Sequence, residues 1–129
     1  MAWNLDSQRP IYAQIIERVQ YDIVSGHYNP GDKLPSVREL ACEASVNPNT
    51  MQKALSELEQ SGLVYSQRTT GRFITKDTSC IRKIREELAK QQVLEMIRRM
   101  KQLGFTKEET LTLMDKIYEE ATYEHTIGV

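Results

Sequence analysis

Apolar residues recur near the start of the chain at helical spacing. Ile11, Ile15, Val19 and Ile23 stand four apart, and Tyr12 and Ile16 widen the stripe to the breadth that a core-facing helix needs. Pro10 opens this segment and Gly26 closes it. The pattern then breaks at Tyr28-Asn29-Pro30-Gly31-Asp32, where Pro presets the first central residue of a turn and Gly accepts positive φ. Two further helix beginnings follow in quick succession. Ser36, with Glu39 three residues on, has the spacing of a capping box, in which each residue satisfies a backbone donor of the other's turn. Asn47 caps the next segment, with Pro48 at its first position, where a missing N–H costs nothing. The second helix is predicted from Val37 to Ala44, burying Val37, Leu40 and Ala41. The third runs from Pro48 to about Ser61, with Met51, Ala54, Leu55 and Leu58 inward and Gly62 as its left-handed cap. Only a short turn fits between them, which makes a helix-turn-helix.

After Gly62 the period changes. Leu63-Val64-Tyr65-Ser66 and Arg72-Phe73-Ile74-Thr75 are β-prone runs joined by Gln67-Arg68-Thr69-Thr70-Gly71, a hairpin with Gly71 at an αL position. Such a ribbon is marginal alone and must pack on the helices, as the wing of a winged helix-turn-helix. From Asp77 the composition shifts to long helix formers. Thr78 or Ser79 caps a helix carrying Ile81, Ile84 and Leu88 on one seam and Val93, Met96, Ile97, Met100 and Leu103 on a second, and Gly104 stops it. Thr106 and Glu109 repeat the capping-box spacing and open a last helix with Leu111, Met114, Ile117, Tyr118 and Ala121 inward. Two helices cannot cover stripes this wide, so the hairpin is expected to pack against a second copy. The expected fold is mainly α with a small β-hairpin: a winged helix-turn-helix DNA-binding domain over residues 1–76 and a two-helix dimerisation hairpin over 77–129.

Charge sharpens this picture. The formal net charge of −1 announces no polyanionic partner by itself, but phosphate binding needs only a local cationic face. Gln60 to Lys76 holds no acid and three cations, Arg68, Arg72 and Lys76, and Ala44 to Ser56 holds Lys53 and no acid. These windows bracket the third helix, whose outward stripe is Asn49, Gln52, Lys53 and Ser56. Asn and Gln pair bidentately with adenine in the major groove, so Asn49 and Gln52 are candidate base readers. Lys53 and Arg38 suit phosphates, and Arg68 and Arg72 a neighbouring backbone or minor groove.

Other chemistries find little footing. The two cysteines, Cys42 and Cys80, form neither a metal-spaced cluster nor a disulfide framework, and read as free thiols in a reducing compartment. His27 and His125 lack ligand partners at metal spacing. No nucleophile, base and orienter combination and no phosphate loop appears, so no enzyme and no cofactor are expected. With no apolar run long enough to span a bilayer and no signal-peptide pattern, the reading is a cytoplasmic protein with no membrane partner. Tyr118 and Tyr123, with Trp3 and Tyr12, are candidates for a small pocket, but aromatics at this spacing more often serve core or interface.

The stretches from Gly26 to Ala41, including Gly31-Asp32-Lys33-Leu34-Pro35-Ser36-Val37-Arg38-Glu39-Leu40, then Val46-Asn47-Pro48-Asn49-Thr50 and Leu58-Glu59-Gln60-Ser61-Gly62-Leu63-Val64, resemble the N-terminal domain of GntR-family bacterial transcription regulators over roughly residues 8–76. The short two-helix tail is similar in size and pattern to that of the YtrA-like subfamily. The resemblance implies a dimeric repressor on a pseudo-palindromic operator of double-stranded DNA, often beside genes for ABC-type transporters. It carries Arg38 into DNA contact, Asn49, Thr50, Gln52 and Lys53 into the groove, and makes Gly71 the wing glycine. Pro48 and Gln52 stand where relatives often have basic residues, which bears on the preferred bases and leaves the docking mode alone. The full candidate DNA-binding set is Ser36, Arg38, Asn47, Asn49, Thr50, Gln52, Lys53, Arg68, Thr70, Gly71 and Arg72. Two rival readings remain, a winged-helix protein-interaction module and a ligand-sensing regulator with a small pocket in the C-terminal arm. No small-molecule effector is assigned.

Overall fold

The structure, a computed structural model, describes the backbone of residues 3–128 and side chains as far as Ala121. The side chains of Tyr123 and His125, singled out above, lie outside the described residues. Seven elements follow in order: α1 (Ile11–Val24), α2 (Val37–Ala44), α3 (Pro48–Gln60), β1 (Val64–Gln67), β2 (Gly71–Ile74), α4 (Thr78–Gln102) and α5 (Lys107–Gly128).

The caps that predicted α2 and α3 are made. Ser36 Oγ accepts from the Glu39 N–H at 3.1 Å and Glu39 Oε1 accepts from the Ser36 N–H at 3.2 Å. Asn47 Oδ1 accepts from the Asn49 N–H at 2.8 Å, and Pro48 occupies the first turn. Between the two helices the chain turns on Ser45, whose φ of 58° takes the left-handed conformation more usual for glycine. The buried stripes then meet. Ile15, Leu40, Met51 and Leu55 are completely buried, joined by Val19, Ile23, Ala41, Ala44, Ala54 and Leu58, while Val37, expected inside, is only half-buried. Leu63, Val64 and Ile74 close this core from the wing side, and Leu34 and Trp3 complete it. Trp3 also donates its Nε1–H to Glu43 Oε1 at 3.4 Å and lies under the Arg18 guanidinium at 4.8 Å, so it serves the core.

The wing is better supported than a lone ribbon. β1 and β2 pair antiparallel, with Val64 opposite Ile74 and Gln67 opposite Gly71. The residues before α2 add to the other edge of β2: Ile74 N–H donates to Asp32 O at 2.8 Å, Leu34 N–H to Arg72 O at 2.9 Å, and Lys33 stands opposite Phe73. Two expectations need correction. The αL residue of the hairpin is Thr69, at φ 66°, while Gly71 lies inside β2 at φ 120°. The turn closes earlier than expected, with Thr70 N–H donating to Gln67 O at 3.3 Å, so positive φ falls on Thr69. The cap of α4 is Asp77, not Thr78 or Ser79; its Oδ1 accepts from the Ser79 and Cys80 N–H groups at 3.0 and 3.4 Å.

The chain divides into two compact units, Met1–Glu87 and Leu88–Val129. In the first, Cys80, Ile81 and Ile84 of α4 pack against the winged-domain core, so the first turns of the long helix add to that core. Cys42 and Cys80 are free thiols. In the second unit, Gly104 turns the chain at φ 87°, and Thr106 and Glu109 make their capping box at 3.1 and 2.9 Å. Met114 is half-buried, but Leu111, Ile117, Tyr118 and Ala121, expected inward, are exposed in the single chain.

Candidate nucleic-acid interface

Because Met51, Ala54, Leu55 and Leu58 point into the core, α3 turns Asn49, Gln52 and Lys53 to solvent, with Thr50 half-buried at the edge. No carboxylate stands on this helix before Glu57. Gln52 Nε2 donates to Ser56 Oγ at 3.3 Å, an exposed contact that a base edge can replace. The Lys53 ammonium lies 4.0 Å from the centre of the Tyr12 ring, an attraction that draws it toward α1. Asn47 and Thr50 line a shallow cleft with Trp3, Leu5, Ile11 and Val46.

On α2, Arg38 is exposed beside the cap, and no described carboxylate pairs with it. The acceptor oxygens of Ser36 and Asn47 are already engaged as caps. On the wing, Arg68 is exposed and Thr70 donates to Gln67 Oε1 at 3.2 Å. Arg72 is placed differently. Its Nε donates to Glu59 Oε1 at 2.5 Å, and the Ser66 hydroxyl donates to the same oxygen at 2.6 Å. The Ser66 hydroxyl holds the Glu59 carboxyl below its usual range; burial opposes it, and the hydrogen bond and charge of the Arg72 guanidinium add to the lowering. Arg72 thus ties the wing to the end of α3 as half of a neutral pair. Ser36, Thr70, Gly71 and Arg72 share one cleft with Lys33, Leu34 and Glu39.

Two residues outside the candidate set belong to this surface. Glu59 stands one position before the acid-free window and neutralises a cation inside it, which only the pairing of α3 with the hairpin reveals. Lys33 reaches the wing because residues 31–34 run along β2, and its place directly before Leu34-Pro35-Ser36 was the available signal.

Residues 11–74 match the family of bacterial regulatory proteins named gntR. Over 108 residues the chain is 42% identical to the uncharacterised HTH-type transcriptional regulator YhcF of Bacillus subtilis, spanning 84% of this chain and 89% of that one. The chain belongs to the GntR family. As a GntR-family protein it is a DNA-binding transcriptional regulator and not an enzyme. Its fold is that of a GntR protein from Listeria monocytogenes, a solved structure with TM-score 0.81 and 41% identity that covers 87% of this chain and 98% of that one. The HTH-type transcriptional repressor YtrA of Bacillus subtilis is 46% identical over 71 residues, 55% of each chain. A DNA-binding domain titled AraR, solved in complex with operator ORX1, matches at TM-score 0.50 and 32% identity over 58% of this GntR chain and 92% of that domain. No helix among the described residues is long and apolar enough to cross a membrane.

Proposed function

We propose that this GntR-family regulator is a homodimeric repressor. Residues 77–129 pair the subunits, and each subunit docks residues 1–76 on one half of a pseudo-palindromic operator in the cytoplasm. The observation that carries the docking mode is the exposed, carboxylate-free face of Asn49, Gln52 and Lys53 above a completely buried Met51 and Leu55. A rigid helix with such a face fits the major groove. Asn49 and Gln52 read base edges, Arg38 and Lys53 hold phosphates, and Arg68 at the hairpin reaches the adjoining backbone. Ser36, Asn47 and Arg72 chiefly orient these groups, and Thr50, Thr70 and Gly71 border them. Operator binding by the AraR domain and the repressor name of YtrA support this reading. Control of an ABC-type transporter operon rests on the subfamily resemblance.

Dimerisation is supported by the apolar side chains that the hairpin leaves open, Val93, Leu94, Ile97, Leu103, Leu111, Ile117 and Tyr118. A second reading, a ligand-sensing arm, is supported by an apolar cavity of about 440 Å³ between Met96, Met100, Phe105, Leu111 and Met114. Thermal-shift screening of the full chain separates the two uses of this surface.

An operator selected by the protein from a random duplex pool, titrated by gel shift, tests the docking mode. Asn49→Ala and Gln52→Ala are expected to cost about 1–3 kcal/mol each and to relax preference at single base pairs. Arg38→Ala is expected to weaken all sequences alike. Unaltered affinity in all three variants removes the reading.

A further inference from the structure

We infer that Lys33 is a DNA-phosphate contact of this regulator. The inference deepens the docking face proposed above and rests on it. Lys33 lies outside both acid-free windows and outside the helix-turn-helix, yet the fold delivers it to the same surface. Its backbone is fixed on both sides along β2, by Ile74 N–H to Asp32 O at 2.8 Å and Leu34 N–H to Arg72 O at 2.9 Å. The ordered backbone fixes where the side chain leaves the wing.

The stem of Lys33 crosses the wing directly over Gly71. A Cβ at that position would stand 3.1 Å from Lys33 Cε and 3.9 Å from its Nζ, so the stem lies in contact with the wing backbone there. The ammonium stands at an open cleft of about 610 Å³ between the wing and the start of α2. The other charged groups lining that cleft are already engaged, Glu39 by the Ser36 N–H and Arg72 by Glu59. Lys33 is the cation of that lining with no carboxylate partner among the described residues. A phosphate entering this cleft between α2 and the wing meets it. An unpaired ammonium at such a point holds backbone without reading sequence.

The experiment measures affinity against salt concentration for the full chain, on the selected operator and on an unrelated duplex. Lys33→Met keeps the stem and removes the charge. It is expected to lower the slope of log affinity against log salt by about 0.9 for each subunit bound, close to eightfold in affinity at 0.1 M salt for each contact, equally on both duplexes. Lys33→Arg restores the slope. A full slope in Lys33→Met, with Arg38→Ala still weakening binding, overturns the lysine contact and leaves the docking face standing. Full affinity in Arg38→Ala and Asn49→Ala as well overturns the docking face itself.

Discussion

The winged domain and the C-terminal hairpin are written in the same apolar alphabet, yet only the first closes on itself. Ile15, Leu40, Met51 and Leu55 are completely shielded, whereas α4 has no buried residue along its 25 positions, and Leu103 and Tyr118 remain 71% and 70% exposed. Geometry accounts for the difference. In the winged domain three helices and a hairpin surround one centre, so a stripe on any of them faces apolar neighbours from several directions. In the hairpin no third element closes over the two helices, and Leu103, Leu111, Ile117 and Tyr118 stay exposed. A closed core reports a domain, and the open surface of the hairpin is the basis for the dimer proposed above.

The largest effect is expected from placing charge on the open surface. Ile117→Asp or Leu111→Asp leaves the winged domain untouched, yet should halve the mass in light scattering. Operator affinity should fall by about 10²–10⁴-fold, because two linked half-site contacts become one. A variant that stays dimeric removes these side chains from the interface. In the closed core the loss is of another kind. Leu55→Ala, at a fully buried site, should cost about 2–5 kcal/mol in urea unfolding. That loss is independent of protein concentration, whereas melting of the wild-type hairpin should rise with concentration.

This contrast also marks what was legible in the chain. The helix-turn-helix could be read because its signals are local: Ser36 with Glu39 and Asn47 with Pro48 each write a helix start within four residues. The inward stripe of α3 could be read for the same reason. What escaped depends on residues distant in sequence. Arg72 lay in an acid-free window, but Glu59 answers it across the α3–wing junction. Lys33 was given no role beyond its place in the family-like stretch, since its pairing with β2 joins residues forty apart. Gly71 was assigned to the hairpin turn, and the smaller error over Thr69 followed from it: a β-branched residue at φ 66° is a poor guess on propensity and is imposed by strand register. The caps of α4 and α2 failed and succeeded respectively because Asp77, Thr78 and Ser79 are three adjacent capping residues, while Ser36 has Glu39 to single it out.

The smallest effect tests the joint between α3 and the wing. The Glu59 carboxyl is held below its ordinary value by the Ser66 hydroxyl and then by Arg72, so the folded state favours its ionised form. Its contribution to stability is therefore complete above the unfolded carboxyl value near pH 4.5 and disappears as the pH falls through the lower, folded value. With Glu59 and Arg72 side chains 30% and 19% exposed, solvent keeps the pair weak, below about 1 kcal/mol. Glu59→Gln should consequently flatten the acid limb of the stability profile below about pH 4.5 while leaving the mid-pH plateau slightly lower. The same variant releases Arg72 from its partner. If Arg72 acts mainly as a tether, freeing its charge should leave the salt slope of DNA binding where it was; a steeper slope would show that the guanidinium, once unpaired, reaches phosphate. Either outcome separates the wing's positioning contact from its binding contacts, which sequence placed together in one cationic window.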